Sequence, residues 1–119
     1  MRDLKILVAD DDPGIIDVMK IVLEDEGIEV ITTMNGENIL KLCREKPDII
    51  FLDIWMSGMD GNIICRRIKE DKDLKHIPVI MFSANGNTKK IATECGADGF
   101  LPKPFELDEL LDMINKYTA

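Results

Sequence analysis

"ILVADDDPG", residues 6–14, joins four apolar residues to three consecutive carboxylates and a Pro-Gly pair. The apolar run predicts a buried strand. Asp12 suits the N-cap of a following helix, and Pro13 suits its first position. Like charges at the end of a buried strand are costly unless a positive group lies close to them. The stretch therefore predicts a strand-to-helix turn that needs a cationic partner.

The rest of the chain repeats the alternation of buried strand and amphipathic helix. This pattern predicts an α/β fold: a five-stranded parallel sheet with helices on both faces, doubly wound and flavodoxin-like, (βα)5, in strand order 2-1-3-4-5. The second strand is half polar, which suits a sheet edge. The predicted strands are 5–10, 29–33, 48–53, 79–84 and 99–103; the predicted helices run from Pro13 to a terminating Gly27, then 36–46 before Pro47, 60–71, 88–96 and 106–117.

Length and composition narrow the class of protein. A chain of 119 residues suits one compact domain. The formal charge of −8 leaves no basic footprint, which argues against direct nucleic acid binding. Apolar runs such as IIFL are too short to span a membrane. The N-terminus shows no signal peptide, so we expect a cytoplasmic location and no membrane partner.

The cysteines and the histidine offer no metal site of their own. Cys43, Cys65 and Cys95 are odd in number, widely spaced and without a C-x-x-C pair. They fit neither a disulfide framework nor a zinc site, and we predict buried free thiols. His76 is the only histidine, and we expect it on the surface.

Reactive side chains gather at the carboxyl ends of the predicted strands, where ligands of open parallel sheets bind. Oxygen-only ligands there favour a hard cation such as Mg²⁺, which would offset the repulsion among the acids. Asp12 is not needed in that site if it caps the helix. Acids that simply face water are the alternative interpretation. The strand-end residues are Asp10 and Asp11, Thr32 and Thr33, Asp53, Ser83, and Lys103.

A carboxylate beside Mg²⁺ can act as a nucleophile toward phosphorus and form an aspartyl phosphate. The metal and a lysine would neutralise charge on the transferring phosphoryl oxygens. Asp53 is the predicted acceptor because it is the lone acid within reach of both the metal and Lys103. Asp10 and Asp11 would then hold the metal, and Ser83 could donate a hydrogen bond to the product.

These motifs give the chain a resemblance to the receiver domain of two-component response regulators, the CheY-like family, over essentially all 119 residues. Any one motif is weak, but several in order and at family spacing are specific. They are the acidic pair Asp10-Asp11, Asp53 after IIFL, MDG at 59–61, SA at 83–84 and KPF at 103–105.

The resemblance implies roles for individual residues. Asp53 would accept a phosphoryl group from a phosphohistidine and, with Asp10 and Asp11, bind Mg²⁺. Trp55 would lend the metal its backbone carbonyl. Ser83 and Lys103 would hold the phosphoryl group, Ser83 and Phe100 would form the switch, and the Lys103-Pro104 bond would be cis and aim the lysine into the site.

Three residues narrow or depart from the family pattern. Ser57 stands where proline is frequent. Trp55 is bulky, so it could shield the phosphoryl group from water or merely pack on the surface. Phe100 lacks the hydroxyl of a tyrosine, so its signal would be one of shape and burial.

The same resemblance implies the partners. A sensor histidine kinase or a histidine phosphotransfer domain would dock around the site, where Gly14, Ile15 and Val18 are candidate contacts if exposed. Output to a downstream protein would use helix four, strand five and helix five. The chain is predicted to be a single receiver domain, 1–119, without an output domain; whether it stands alone or belongs to a longer regulator or hybrid kinase stays open.

Two other functions compete with the phosphorylatable switch, which would assist only its own phosphotransfer and autodephosphorylation and is not otherwise an enzyme. A haloacid-dehalogenase-like phosphatase would carry a second aspartate two residues after the nucleophile, where Trp55 stands. A pseudo-receiver would bind partners without phosphorylation, against which the complete set of acids, lysine and hydroxyl argues.

Overall fold

A five-stranded parallel sheet forms the centre of the fold in the computed structural model. The structure describes residues 3–55, 60–83 and 88–118, without the side chains of residues 83, 88 and 89. The strand order is β2-β1-β3-β4-β5, so the predicted order is confirmed. The half-polar second strand lies at an edge, as expected. The strands are β1 (Lys5–Ala9), β2 (Glu29–Thr33), β3 (Ile49–Asp53), β4 (Val79–Ser83) and β5 (Gly99–Pro102).

Helices cover both faces of this sheet. They are α1 (Pro13–Asp25), α2 (Ile39–Leu42), α3 (Gly61–Glu70), α4 (Thr88–Cys95) and α5 (Leu107–Thr118). Alternate residues of β1 serve the two layers: Ile6 and Val8 pack with α1 and α5, whereas Leu7 and Ala9 pack with α2, α3 and α4. Burial on both faces explains why the central strands are almost wholly apolar in sequence.

Helix α1 begins and ends at the residues predicted from the sequence. The Asp12 side chain accepts a hydrogen bond from the Gly14 backbone N–H at 2.9 Å, which confirms its capping role. Gly27 adopts φ 79°, a left-handed conformation that ends the helix with little steric cost. The Asp12 carboxylate therefore caps the N-terminus of α1.

The second helix is shorter than the predicted span 36–46. Only Ile39–Leu42 is α-helical, between 3₁₀ turns at Gly36–Asn38 and Cys43–Glu45. Glycine and asparagine are poor helix formers at its start. Pro47 disfavours helical conformation in the residue before it, and Lys46 turns to φ 58°. Pro47 therefore ends the segment as predicted, but the continuous helix was wrong.

Strand register brings the predicted strand ends to one edge of the sheet. Ala9 pairs with Leu52 of β3 and Thr33 of β2, so Asp10 emerges beside Asp53. Asp53 in turn pairs with Phe82. The three cysteines are buried and free, and His76 is exposed, as predicted. None of the helices within the described residues is long and apolar enough to cross a bilayer.

Candidate functional site

Asp10 is fully buried at the end of β1, and both oxygens of its carboxylate accept hydrogen bonds. The ammonium of Lys103 lies 2.5 Å from Asp10 Oδ2, and the Asp12 backbone N–H donates to Asp10 Oδ1 at 2.9 Å. A buried charge is tolerated when it is paired and hydrogen-bonded in this way. Lys103 is therefore a positive partner of the acidic cluster within the chain itself.

The Lys103 ammonium also lies over one aromatic ring, that of Phe82. The ammonium lies 4.7 Å from the ring centroid, a cation–π distance. Phe105 packs edge-on against Phe82, with the ring centroids 6.3 Å apart. The Lys103-Pro104 peptide bond is cis, as the resemblance implied. Sequence reasoning missed Phe82, which reads simply as a core residue of the VIMF run.

Asp53 ends β3 beside Asp10, with 6% of its surface exposed. Burial and the neighbouring Asp10 charge raise the pKa of Asp53 to about 7, against the lowering effect of Lys103. A side-chain hydrogen bond with Asp10 also raises this pKa, and one with the Trp55 backbone lowers it. Without a cation, the site therefore disfavours ionisation of Asp53.

Asp10, Asp11 and Asp53 can together offer a metal three carboxylate oxygens that lie within 4.8 Å of one another. Asp11 is exposed, so one side of this acidic triad faces solvent. Carboxylate oxygens with room for water ligands are the donor set that Mg²⁺ uses in proteins. The residues present thus fit Mg²⁺, and Asp12, which caps α1, lies outside the triad.

Gly61 fixes the distance between α3 and the end of β3. Its backbone N–H donates to the Ile54 carbonyl at 2.7 Å. A Cβ added at Gly61 would lie 2.1 Å from the Asp53 carbonyl oxygen, closer than any real contact. The glycine of the MDG motif is therefore required by a close backbone approach beside Asp53.

The other predicted site residues differ in exposure, and the structure does not describe the side chains of all of them. The Trp55 side chain is 52% exposed. Phe100 is partly buried and packs toward the layer formed by α2, α3 and α4. Ser83 ends β4 opposite Pro102, but its side chain lies outside the described residues. Ser57, Met59 and Ala84, and the side chain of Lys89, also lie outside what the structure describes.

A doubly wound parallel sheet with an acidic triad and a lysine at its carboxyl edge defines a class of α/β domain whose site lies at the topological switch point. Within that class the family is specific: residues 6–115 match the family described as "Response regulator receiver domain". The chain belongs to this family. It is a receiver domain of two-component signalling.

Known proteins share this sequence and fold. The response regulator PleD of Caulobacter vibrioides is 41% identical over 105 residues, which cover 86% of this chain and 23% of PleD. The chain thus spans about a quarter of that relative's length. A structure described as a putative response regulator from Chloroflexus aurantiacus has a TM-score of 0.92 at 29% identity, with 99% of each chain covered.

A third neighbour shares the fold at lower identity. It is the receiver domain of the sensor histidine kinase PA1611 from Pseudomonas aeruginosa, with a TM-score of 0.90 at 24% identity, covering 98% of each chain. That structure has a magnesium ion in its active site cleft. At this identity the likeness supports the fold of the present chain and nothing finer.

Proposed function

We propose that this domain is switched by phosphorylation of Asp53 in a Mg²⁺-dependent reaction. The donor is a phosphohistidine on a sensor histidine kinase or a histidine phosphotransfer domain. The observation that carries the proposal is the meeting of the Asp10, Asp11 and Asp53 carboxylates within 4.8 Å, beside the Lys103 ammonium. Family membership supports the same function.

Asp53 is a better acceptor than its two acidic neighbours. Asp10 is fully buried, and both of its carboxylate oxygens already have a hydrogen-bond partner. Asp11 is exposed on the rim of the site, which suits a metal ligand with water around it. Asp53 combines slight exposure with a position next to the buried ion pair, so a donor can reach it while Lys103 stays close.

The chemistry needs little beyond positioning and charge. A carboxylate oxygen of Asp53 forms a bond to phosphorus while the bond from phosphorus to the histidine nitrogen breaks. Asp10, Asp11, Asp53 and the Trp55 carbonyl would hold Mg²⁺, which would neutralise charge on the transferring oxygens when bound. Lys103 stabilises the phosphoryl group, and Ser83 donates a hydrogen bond to it.

A donor protein must present its histidine at this rim, and α1 begins there. Val18 on α1 is 58% exposed, whereas Ile15 is partly buried against the core. Val18 is therefore the most exposed apolar candidate for a contact with the donor, next to the exposed Gly14 and the partly buried Ile15. We place the domain in the cytoplasm, where such donors present their phosphohistidine, and assign it neither nucleic acid nor membrane as a direct partner.

Output is proposed to use the face formed by α4, β5 and α5. Phe100 lies on β5 and serves with Ser83 as the switch. A cavity of about 410 Å³ opens on this face, lined by residues that include Ala92, Phe100, Met113 and Tyr117. A downstream protein or an output domain would read a change in this surface. Residues 1–119 constitute one receiver domain in this account.

Intact-mass measurement after treatment with acetyl phosphate tests the proposal. With Mg²⁺ the wild-type protein should gain one phosphoryl group, and chelation of the metal should prevent the gain. Asp53→Asn should abolish it, whereas Asp12→Asn, which keeps a capping side chain, should leave it intact. A protein that stays unmodified with Mg²⁺ would instead be a pseudo-receiver that only binds partners.

A further inference from the structure

Cys65 and Cys95 lie side by side, although thirty positions separate them in the chain. Cys65 belongs to α3, and Cys95 is the last residue of α4. The Cys65 thiol donates to the backbone carbonyl oxygen of Cys95 at 3.6 Å, and the Cys95 thiol donates to the Ala92 carbonyl oxygen at 3.4 Å. The proposed phosphorylation chemistry uses neither thiol.

The two thiols are chemically unequal. The neighbouring Cys65 thiol lowers the pKa of Cys95 to about 7 against the raising effect of burial, and the Ala97 backbone and the Arg66 charge also lower it. The Cys95 thiol, together with burial, raises the pKa of Cys65. Cys43, away from this pair, has a pKa raised to about 11 by burial. A thiolate is the reactive form of cysteine, so Cys95 is the nucleophile of the pair.

We propose that Cys65 and Cys95 form a redox modification site: hydrogen peroxide converts the two adjacent thiols into an intramolecular disulfide that joins α3 to α4. The inference does not depend on phosphorylation of Asp53. It rests on the contact between Cys65 and Cys95 at the place where α3 packs against α4.

The reaction balances in two steps. The Cys95 thiolate attacks one peroxide oxygen; the S–O bond forms, the O–O bond breaks, and the departing hydroxide takes a proton to become water. Cys65 sulfur then attacks the sulfur of the Cys95 sulfenic acid, forming the S–S bond as the S–O bond breaks. The departing hydroxide takes the Cys65 proton as the second water. The two thiols are oxidised, and the peroxide is reduced.

Access to solvent favours the same order of events. Cys65 has no exposed surface, whereas Cys95 retains 3% exposure at the end of α4. Helix termini open locally more readily than helix interiors. Gly96, which follows Cys95 and adopts φ 84°, is exposed. Peroxide should therefore reach Cys95 first, and Cys65 should act as the resolving thiol.

The test treats the whole reduced chain with hydrogen peroxide under native conditions, then denatures it, alkylates the remaining thiols and maps the peptides. The expected product carries a peptide that links residue 65 to residue 95 and one alkylated thiol, at Cys43. Cys43→Ala should give the same link. Cys65→Ser should instead accumulate the Cys95 sulfenic acid, and Cys95→Ser should leave Cys65 reduced.

A second readout is thermal unfolding of the oxidised wild type. A cross-link between these helices restricts the unfolded chain, so its Tm should rise by about 5 °C or more, and a thiol reductant should reverse the rise. Alkylation of all three cysteines after native peroxide treatment would overturn the proposal. Disulfides between separate chains, or a link that forms only in denatured protein, would overturn it as well.

Discussion

Asp10 is the residue at which burial and charge conflict most directly. Its carboxylate has no exposed surface, and the Lys103 ammonium and the Asp12 N–H contact its two oxygens. Removing one partner of such a buried pair is more costly than any surface ion pair. The pair also keeps Lys103 beside the acceptor, so one contact serves both stability and the proposed chemistry.

Asp53 should make the stability of the metal-free protein depend on pH. Its pKa rises from 3.8 to about 7 on folding, so the folded state must ionise a buried carboxyl as pH rises through about 7. The stabilisation that the raised pKa gives the folded state is fully present below about pH 4. It is lost as the pH rises toward 8, because the folded protein then has to ionise Asp53. Asp53→Asn removes this loss and should become more stable than wild type by about 2–4 kcal/mol between those pH values.

Urea unfolding of both proteins across this range, with a chelator present, measures the difference. Asp17→Asn, a change at an exposed site on α1, is the matched control and should show no such trend. A difference between Asp53→Asn and wild type that stayed constant with pH would contradict the assigned burial of the Asp53 charge.

Trp55 should report on the metal, because it is the only tryptophan and lies two residues after Asp53. Its backbone already hydrogen-bonds to Asp53, so a cation at the triad should change the environment of the nearby indole. We expect Mg²⁺ to change Trp55 fluorescence and phosphorylation to change it again. Asp11→Ala should shift the Mg²⁺ response to higher concentration; a response unaffected by Asp11→Ala would place the ion elsewhere.

At the scale of the element, substitutions of the two adjacent aspartates before α1 should affect different properties, one the stability of the helix and the other metal binding. Asp12→Ala removes the N-cap and should cost about 1 kcal/mol of unfolding free energy while leaving Mg²⁺ affinity nearly intact. Asp11→Ala removes a triad oxygen and should weaken Mg²⁺ binding by about tenfold or more, with little effect on the helix. Denaturant unfolding and Mg²⁺ titration of both variants test the division, and a stronger metal defect in Asp12→Ala would reverse our assignment.

The start of α3 should tolerate no side chain at Gly61. Gly61→Ala would place a Cβ 2.1 Å from the Asp53 carbonyl oxygen, so the end of β3 or the helix must move. We expect a loss of about 1–3 kcal/mol in unfolding free energy and slower phosphorylation. Gly14→Ala is the matched control, since its Cβ meets only an exposed carboxylate oxygen of Asp12, at 3.2 Å. Equal stability for the two variants would show that α3 is not held this closely.

The elements themselves were predictable where one physical signal dominated. Burial on both faces gives β1 and β3 their apolar runs, and the Asp12 cap and Gly27 bound α1. The second helix was not predictable in length, because its apolar spacing conflicts with Gly36, Asn38 and the approach to Pro47. Local backbone preferences shortened the α-helix there against the periodic pattern.

At the scale of the whole molecule, the rule that parallel strands end at one edge was enough to predict that Asp10, Asp11, Asp53 and Lys103 gather. It could not predict which of these groups pair. The contact of Lys103 with Asp10 and its position over Phe82 depend on side-chain packing between β4 and the loop before α5. The Cys65–Cys95 contact likewise needs the packing of α3 against α4, for which no local sequence signal exists.

The central claim is that Asp53 carries the phosphoryl group, and reductive trapping tests it most directly. The protein is phosphorylated with acetyl phosphate and Mg²⁺, treated with borohydride, which reduces an aspartyl phosphate to homoserine, and then mapped by peptide mass spectrometry. We predict homoserine at residue 53 alone, and none when Mg²⁺ is chelated. Homoserine at Asp10 or Asp11 while Asp53 remained unmodified would contradict the account.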